Sequence, residues 1–218
     1  MARIGIIGTG SMAAVLGGAW VRAGHEVFVG GRDTARAADV AGRTGAAGQG
    51  TSVQAAEYGD VVLLAVPADV APRLAAEHAG VLAGRTVVDC TNALVPAEDG
   101  VLLTTAGGVS VARLIADAAP DAHVVKAFNL AHESVWTQSR ETFEGLASGP
   151  PAVPFCTDDA GSAERIAAII ASMGCVPLPA GGLARAAYLE AAAAFAIGVW
   201  WSGGTPRNAF PDPVTGGA

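Results

Sequence analysis

The segment that most narrows what this chain can fold into is Gly8-Thr9-Gly10-Ser11-Met12-Ala13. It follows the β-branched run Arg3–Ile7 directly and opens a helical pattern over Ser11–Ala23. Gly8 permits a tight turn, Gly10 lets a ligand approach the backbone, and Ala13, in the third-glycine position, still allows close helix–strand packing. The helix start presents unpaired N–H groups and a partial positive charge to a phosphate. Strand, glycine turn and helix in this order read as a dinucleotide-binding turn.

Strands and helices alternate beyond it. Glu26–Val29 reads as a strand and Thr34–Gly42 as a helix. The apolar run Val61–Val66, ended by Pro67, reads as a strand covered on both faces. Val70–Ala79 looks helical, Arg85–Asp89 extended, Ser110 caps a helix to Ala118, and His123–Ala127 is a further strand. This order predicts an α/β fold with a Rossmann-type, doubly wound parallel sheet. Thr91–Gly108 and Thr137–Pro151 read as irregular, the first long enough to suggest function. Val153–Thr157, Ala160–Met173 and Val176–Leu178 add a strand–helix–strand unit. The Ala-rich helix Leu183–Trp201 then has apolar residues on more than one face and must be buried, which predicts a second subunit against it. The tail from Gly203 is expected to be extended or mobile. Residues 1–150 are therefore expected to form the nucleotide-binding domain. Residues 151–218 would be a small C-terminal appendage for dimerisation and the substrate cleft.

Composition removes other classes. The 218 residues are 51% apolar and 15% charged, which suits one packed domain with a small appendage. A formal charge of −7 without any Lys/Arg run disfavours nucleic acid and anionic membrane as partners. Cys90, Cys156 and Cys175 form no metal-binding or disulfide pattern and read as buried free thiols of a reducing compartment, hence a cytoplasmic protein. No metal is expected. No apolar run reaches the ~18 residues of a membrane span; the nearest, Leu189–Trp201, is too short and contains Glu190.

The tip of the second strand selects the nucleotide. An acid there would bond the ribose hydroxyls of NAD, but the chain has Gly30-Gly31-Arg32, with Arg36 four residues on. The arginine forks match a 2′-phosphate, so the expected cofactor is NADP(H). Asp33 reads as the cap of the next helix. The nicotinamide half should lie over Ala65-Val66-Pro67, beside Thr91-Asn92 and Phe128-Asn129. Asn92 or Asn129 could bond its carboxamide or the substrate. The expected cofactor-binding set is thus Gly8, Thr9, Gly10, Ser11, Met12, Gly31, Arg32, Arg36, Ala65, Val66, Pro67, Asn92, Phe128 and Asn129.

No catalytic residue is fixed; His132 and Asn129 are the candidates. His25 and His78 read as structural, and His123 begins a strand. His132 follows Phe128-Asn129 into the expected pocket. Lys126 and Asn129 share the three-residue spacing of a hydroxyacid-dehydrogenase pair, but that pair needs a helix. On a strand, Lys126 is expected to direct its ammonium to solvent.

Ile4-Gly5-Ile6-Ile7-Gly8-Thr9-Gly10, Ala23-Gly24-His25-Glu26-Val27, Gly31-Arg32-Asp33, Val88-Asp89-Cys90-Thr91-Asn92 and Val124-Val125-Lys126-Ala127-Phe128-Asn129 together resemble the NADPH-dependent reductases of coenzyme F420. Gly181-Gly182-Leu183 and Tyr188-Leu189-Glu190 are similar to that family's last helix. The resemblance implies a homodimer that passes hydride between NADPH and a deazaflavin, with Thr9, Arg32 and Arg36 holding the nucleotide. Gly31 departs from the Ser or Thr common in the family, which removes one hydroxyl bond to the 2′-phosphate. Two other readings fit the residues: an NADPH-dependent reductase of a small imine or carbonyl with His132 as proton donor, and a non-catalytic NADP(H)-binding sensor.

Overall fold

The computed structural model describes residues 1–98 and 100–209. The first half comprises β1 Arg3–Ile7, α1 Ser11–Arg22, β2 Glu26–Gly30, α2 Thr34–Thr44, β3 Gly48–Gly50, α3 Ser52–Tyr58, β4 Val61–Leu64, α4 Ala71–Glu77, α5 Ala79–Leu82 and β5 Thr86–Asp89. The second comprises β6 Leu94–Ala97, β7 Gly100–Leu103, α6 Val111–Ala118, β8 His123–Ala127, α7 Arg140–Glu144, β9 Ala152–Thr157, α8 Ala160–Ser172, β10 Val176–Pro179 and α9 Ala186–Trp201.

Eight strands form one sheet in the order β10-β9-β8-β5-β4-β1-β2-β3. Six of them run parallel; β9 pairs antiparallel with β8, and β10 lies parallel to β9. The sheet is thus mostly rather than wholly parallel, and β9 and β10, from beyond residue 150, belong to the same sheet as the strands before it. Alternation along each strand divides the core in two. Val61 and Leu63 join Leu16, Trp20 and Ile166 on one face, while Val62 and Leu64 join Ala75, Ile115 and Leu189 on the other.

β3 and α3 are among the elements that escaped the sequence reading. The β3 strand is only Gly-Gln-Gly, and α3 is short, begun by a capping box in which Thr51 and Gln54 bond each other's backbone N–H. The two irregular stretches also hold structure: β6 and β7 make a hairpin within 91–108, and α7 lies within 137–151. Asp33 and Ser110 cap α2 and α6 as expected.

The last helix is buried along one side and only as far as Ala193. Leu183, Ala186, Leu189, Glu190 and Ala193 are buried, whereas Tyr188, Phe195, Trp200 and Trp201 are exposed. Its flank also carries the hairpin: a Cβ on Gly100 would lie 3.2 Å from the Gly198 Cα. Leu183–Trp201 has the length and hydropathy of a membrane span, but its inner side is built into the core through Leu183, Ala186 and Leu189. Of the tail, 206–209 form a single helical turn; residues 210–218 lie outside the described part.

Candidate functional site

The sheet order reverses between β1 and β4, the position where open α/β sheets bind ligands beyond their carboxyl ends. Gly8 makes the turn there with φ +136°, and a Cβ on it would stand 2.1 Å from the Ala65 carbonyl oxygen, so β1 and β4 approach as only glycine allows. Gly10 is the N-cap of α1, and no side chain caps the helix. The first-turn N–H groups therefore have no side-chain competitor for an anion, and no acid occupies that turn.

Above this turn lies a cleft of about 380 Å³. Gly10, Ser11 and Met12 line it from α1; Ala65, Val66, Pro67 and Ala68 follow β4; Cys90, Thr91 and Asn92 follow β5; Phe128, Asn129 and Ala131 follow β8. The structure thus gathers Gly10, Ser11, Met12, Ala65, Val66, Pro67, Asn92, Phe128 and Asn129 in one place. Gly31 and Arg32, which follow β2, and Arg36, in the first turn of α2, lie outside that lining. A Cβ on Gly31 would be 3.1 Å from the Thr9 methyl, which brings Thr9 to the same strand tip. Arg32 is exposed, and Arg36 meets Asp33 at 3.5 Å (Nε to Oδ2), also in water.

Phe128 is in the left-handed region at φ +63°, alone among the described non-glycine residues. Such backbone costs about 1–3 kcal/mol and persists only where packing holds it. Here the ring is gripped edge-on by Trp20 (5.8 Å) and Trp136 (5.4 Å). Next to this turn, the Asn129 Nδ2 donates to Asn92 Oδ1 at 3.0 Å, and Asn92 Nδ2 donates back to the Asn129 carbonyl at 2.9 Å. The two amides are thus spent largely on each other. The Thr91 hydroxyl and Asn129 Oδ1 are buried without a protein partner at the cleft.

His132 does not line the cleft. It is exposed and caps the turn Glu133–Thr137, with its ring against Trp200 at 6.2 Å. His25 accepts a bond from Ala2 N and meets Ser172 Oγ, while His78 meets Ser52 Oγ. The three cysteines are free and buried; burial pushes the Cys90 thiol up to about 12.

Lys126 overturns its expectation. Its ammonium is 0% exposed and bonds Asp89 Oδ2 at 2.9 Å, Glu190 Oε1 at 2.8 Å and the Thr91 carbonyl. The physical reason is that β8 is a central strand covered on both faces, with no route to water for its side chains. A glutamate within an apolar helix was the available signal, since a buried charge requires a partner. Burial pulls Lys126 down, but Asp89 and Glu190 outweigh it and hold the ammonium above the ordinary lysine value. Burial likewise raises Glu190 despite Lys126.

The residues present suit an extended dinucleotide. A bare helix N-terminus faces the cleft, Gly10 has no atom within 4 Å of where its Cβ would be, and two buried oxygens await partners. Fold and site together define a Rossmann-type cleft with the shape for a dinucleotide. Residues 3–93 match the family described as NADP oxidoreductase, coenzyme F420-dependent, so the resemblance read from the sequence holds over that segment. No curated protein matches the chain. The fold is shared with a proposed F420-dependent NADP-reductase from Arthrobacter sp. FB24 (TM-score 0.81, 23% identity, 94% of this chain and 96% of that one). A hypothetical protein from Sinorhizobium meliloti is similar at TM-score 0.72 and 27% identity, over 84% of this chain and 87% of its own. The Streptomyces aurantiacus imine reductase shares the fold at TM-score 0.63 and 15% identity; 91% of this chain is covered but only 61% of that enzyme.

Proposed function

We propose that the chain binds NADP(H) across the carboxyl ends of β1, β2 and β4 and exchanges hydride with coenzyme F420. The first turn of α1 holds the pyrophosphate, and Thr9, Arg32 and Arg36 hold the 2′-phosphate. Val66 and Pro67 form the platform under the nicotinamide. When bound, NADPH supplies the hydride. The protein's task is then to align two flat rings and keep water out, a contribution of position rather than of proton transfer.

The observation that carries this reading is the cleft lining. Its one titratable side chain is Cys90, whose thiol at about 12 is a poor proton donor or base at neutral pH. Reduction of an imine or carbonyl asks for a donor near the nicotinamide, and His132 stands outside that lining. Hydride exchange with a deazaflavin asks for none. The test is to mix the protein with NADPH and oxidised F420 and follow the deazaflavin absorbance. Bleaching at a rate proportional to enzyme is expected; intact NADPH binding without bleaching overturns F420 as acceptor. The reading includes a cytoplasmic homodimer joined through the outer side of α9.

A further inference from the structure

Lys126, the only lysine of the chain, is central to a group of buried polar residues that nucleotide binding leaves unexplained. Its three bonds use all three ammonium donors, and their acceptors belong to three places: Asp89 at the end of β5, Thr91 in the cleft wall, and Glu190 in α9. Both carboxylates carry the connection onward. Asp89 Oδ1 accepts from Thr91 N at 2.8 Å, and Glu190 Oε1 accepts from Val111 N at the start of α6. Three residues along from Lys126, Asn129 Nδ2 donates to the Leu189 carbonyl at 3.0 Å, beside Glu190. Lys126 and Asn129 therefore fasten the same point of α9 to the cleft, one on each side of the left-handed turn at Phe128.

Packing alone does not call for such a cluster. Apolar residues of similar volume commonly fill a buried site at equal or better stability, because three ions there lose their hydration. What charges supply and apolar side chains do not is direction. We propose that Lys126 is a positioning residue: through Thr91 and Glu190 it sets the cleft wall and α9 relative to the nicotinamide platform, so that hydride transfer depends on it and nucleotide binding does not. Among the described residues no hydrogen bond joins the pyrophosphate turn at Gly8–Met12 to Asp89, Thr91 or Glu190, which separates the two dependences. The inference rests on the oxidoreductase reading above.

Because Lys126 is the only lysine, protein labelled with 15N at the lysine ammonium gives a single side-chain resonance. In the wild type that resonance should persist at neutral pH through slow exchange with water; exchange as fast as an exposed lysine's overturns the proposal. The decisive variant is the neutral triple Lys126→Met, Asp89→Asn, Glu190→Gln, which keeps an oxygen for Thr91 N and another for Val111 N. The expected result is a melting temperature near wild type, an NADPH Kd within about threefold, and a kcat lowered by roughly tenfold or more. Wild-type kcat in the triple variant, or parallel loss of NADPH binding, overturns the proposal. If the wild type binds NADPH but reduces no acceptor, the function reading fails on its own. The positioning claim is then judged by the side-chain amide resonances of Asn92 and Asn129: displaced in the triple variant it stands, unmoved it falls. Glu190→Gln, which preserves shape, replaces the triple variant should that not fold. Faster ammonium exchange with lower kcat supports the role, and unchanged values of both overturn it.

Discussion

Arg32 and Arg36 serve recognition differently from any residue in the cleft, because both are exposed to water, one just after β2 and the other in the first turn of α2. An exposed arginine paired weakly or not at all contributes little to stability, so its loss should be read in binding alone. Arg32→Ala is expected to weaken NADPH binding about 10- to 100-fold, as removal of a charge-assisted bond to phosphate does. NADH binding should change by no more than about threefold. Titration of both nucleotides by fluorescence decides it, and equal losses would remove 2′-phosphate recognition from this residue. His25 illustrates the opposite case, a polar group whose service is structural. Its Nδ1 accepts from Ala2 N while Nε2 meets Ser172 Oγ, whose own proton goes to the Ile169 carbonyl. Burial holds its pKa below the ordinary histidine value, whereas the unfolded chain takes up the proton near ~6.5. The unfolded state thus binds more protons over that window, so this contribution to stability is complete above ~6.5 and is lost as pH falls toward the lower folded value. The melting temperature should drop between pH 8 and pH 5, and His25→Gln should reduce the size of that drop.

At the scale of elements, legibility in the sequence followed length and period. The central strands and α1, α2, α6 and α8 repeat their apolar residues often enough to be read, and the glycine turn marks its own place. The missed helix α3 has seven residues, too few for a period to show. Its position is instead recorded in glycines on other elements. A Cβ on Gly5 of β1 would fall 1.9 Å from the Ala55 carbonyl oxygen, and one on Gly30 of β2 would fall 2.3 Å from that of Thr51. The sequence shows those glycines plainly, but not the helix they make room for. Gly5→Ala should accordingly destabilise by about 3 kcal/mol, since the obstacle is backbone rather than a movable side chain. Thr51→Ala should cost about 1 kcal/mol through the lost cap. Chemical denaturation measures both, and a Gly5→Ala loss smaller than that of Thr51→Ala would mean α3 packs less closely than it does here. The cleft was similarly half legible. Residues following the strand ends were found by the topology rule, whereas the Lys126–Asp89–Glu190 group was not, because it joins positions 37 and 64 residues apart.

For the whole molecule, the outer side of α9 is the feature a single chain leaves unresolved. Tyr188, Trp200 and Trp201 are 66%, 46% and 62% exposed, and Leu102 on the neighbouring hairpin is 62% exposed. Apolar groups gathered along one helix and the hairpin beside it form the type of surface that associates. Buried aromatic side chains contribute most to such contacts. The inner side of the same helix is tied to the cleft by Glu190 and Leu189, so a subunit seated on the outer side would rest directly behind the wall that Lys126 orients. The double substitution Trp200→Asp, Trp201→Asp falls at the C-terminal end of α9, beyond its buried residues Leu189, Glu190 and Ala193. Sedimentation should then show a wild-type dimer and a variant monomer, with NADPH Kd retained because the pyrophosphate turn lies on other elements. A variant that keeps both the wild-type mass and its turnover would exclude the exposed end of α9 as the subunit interface.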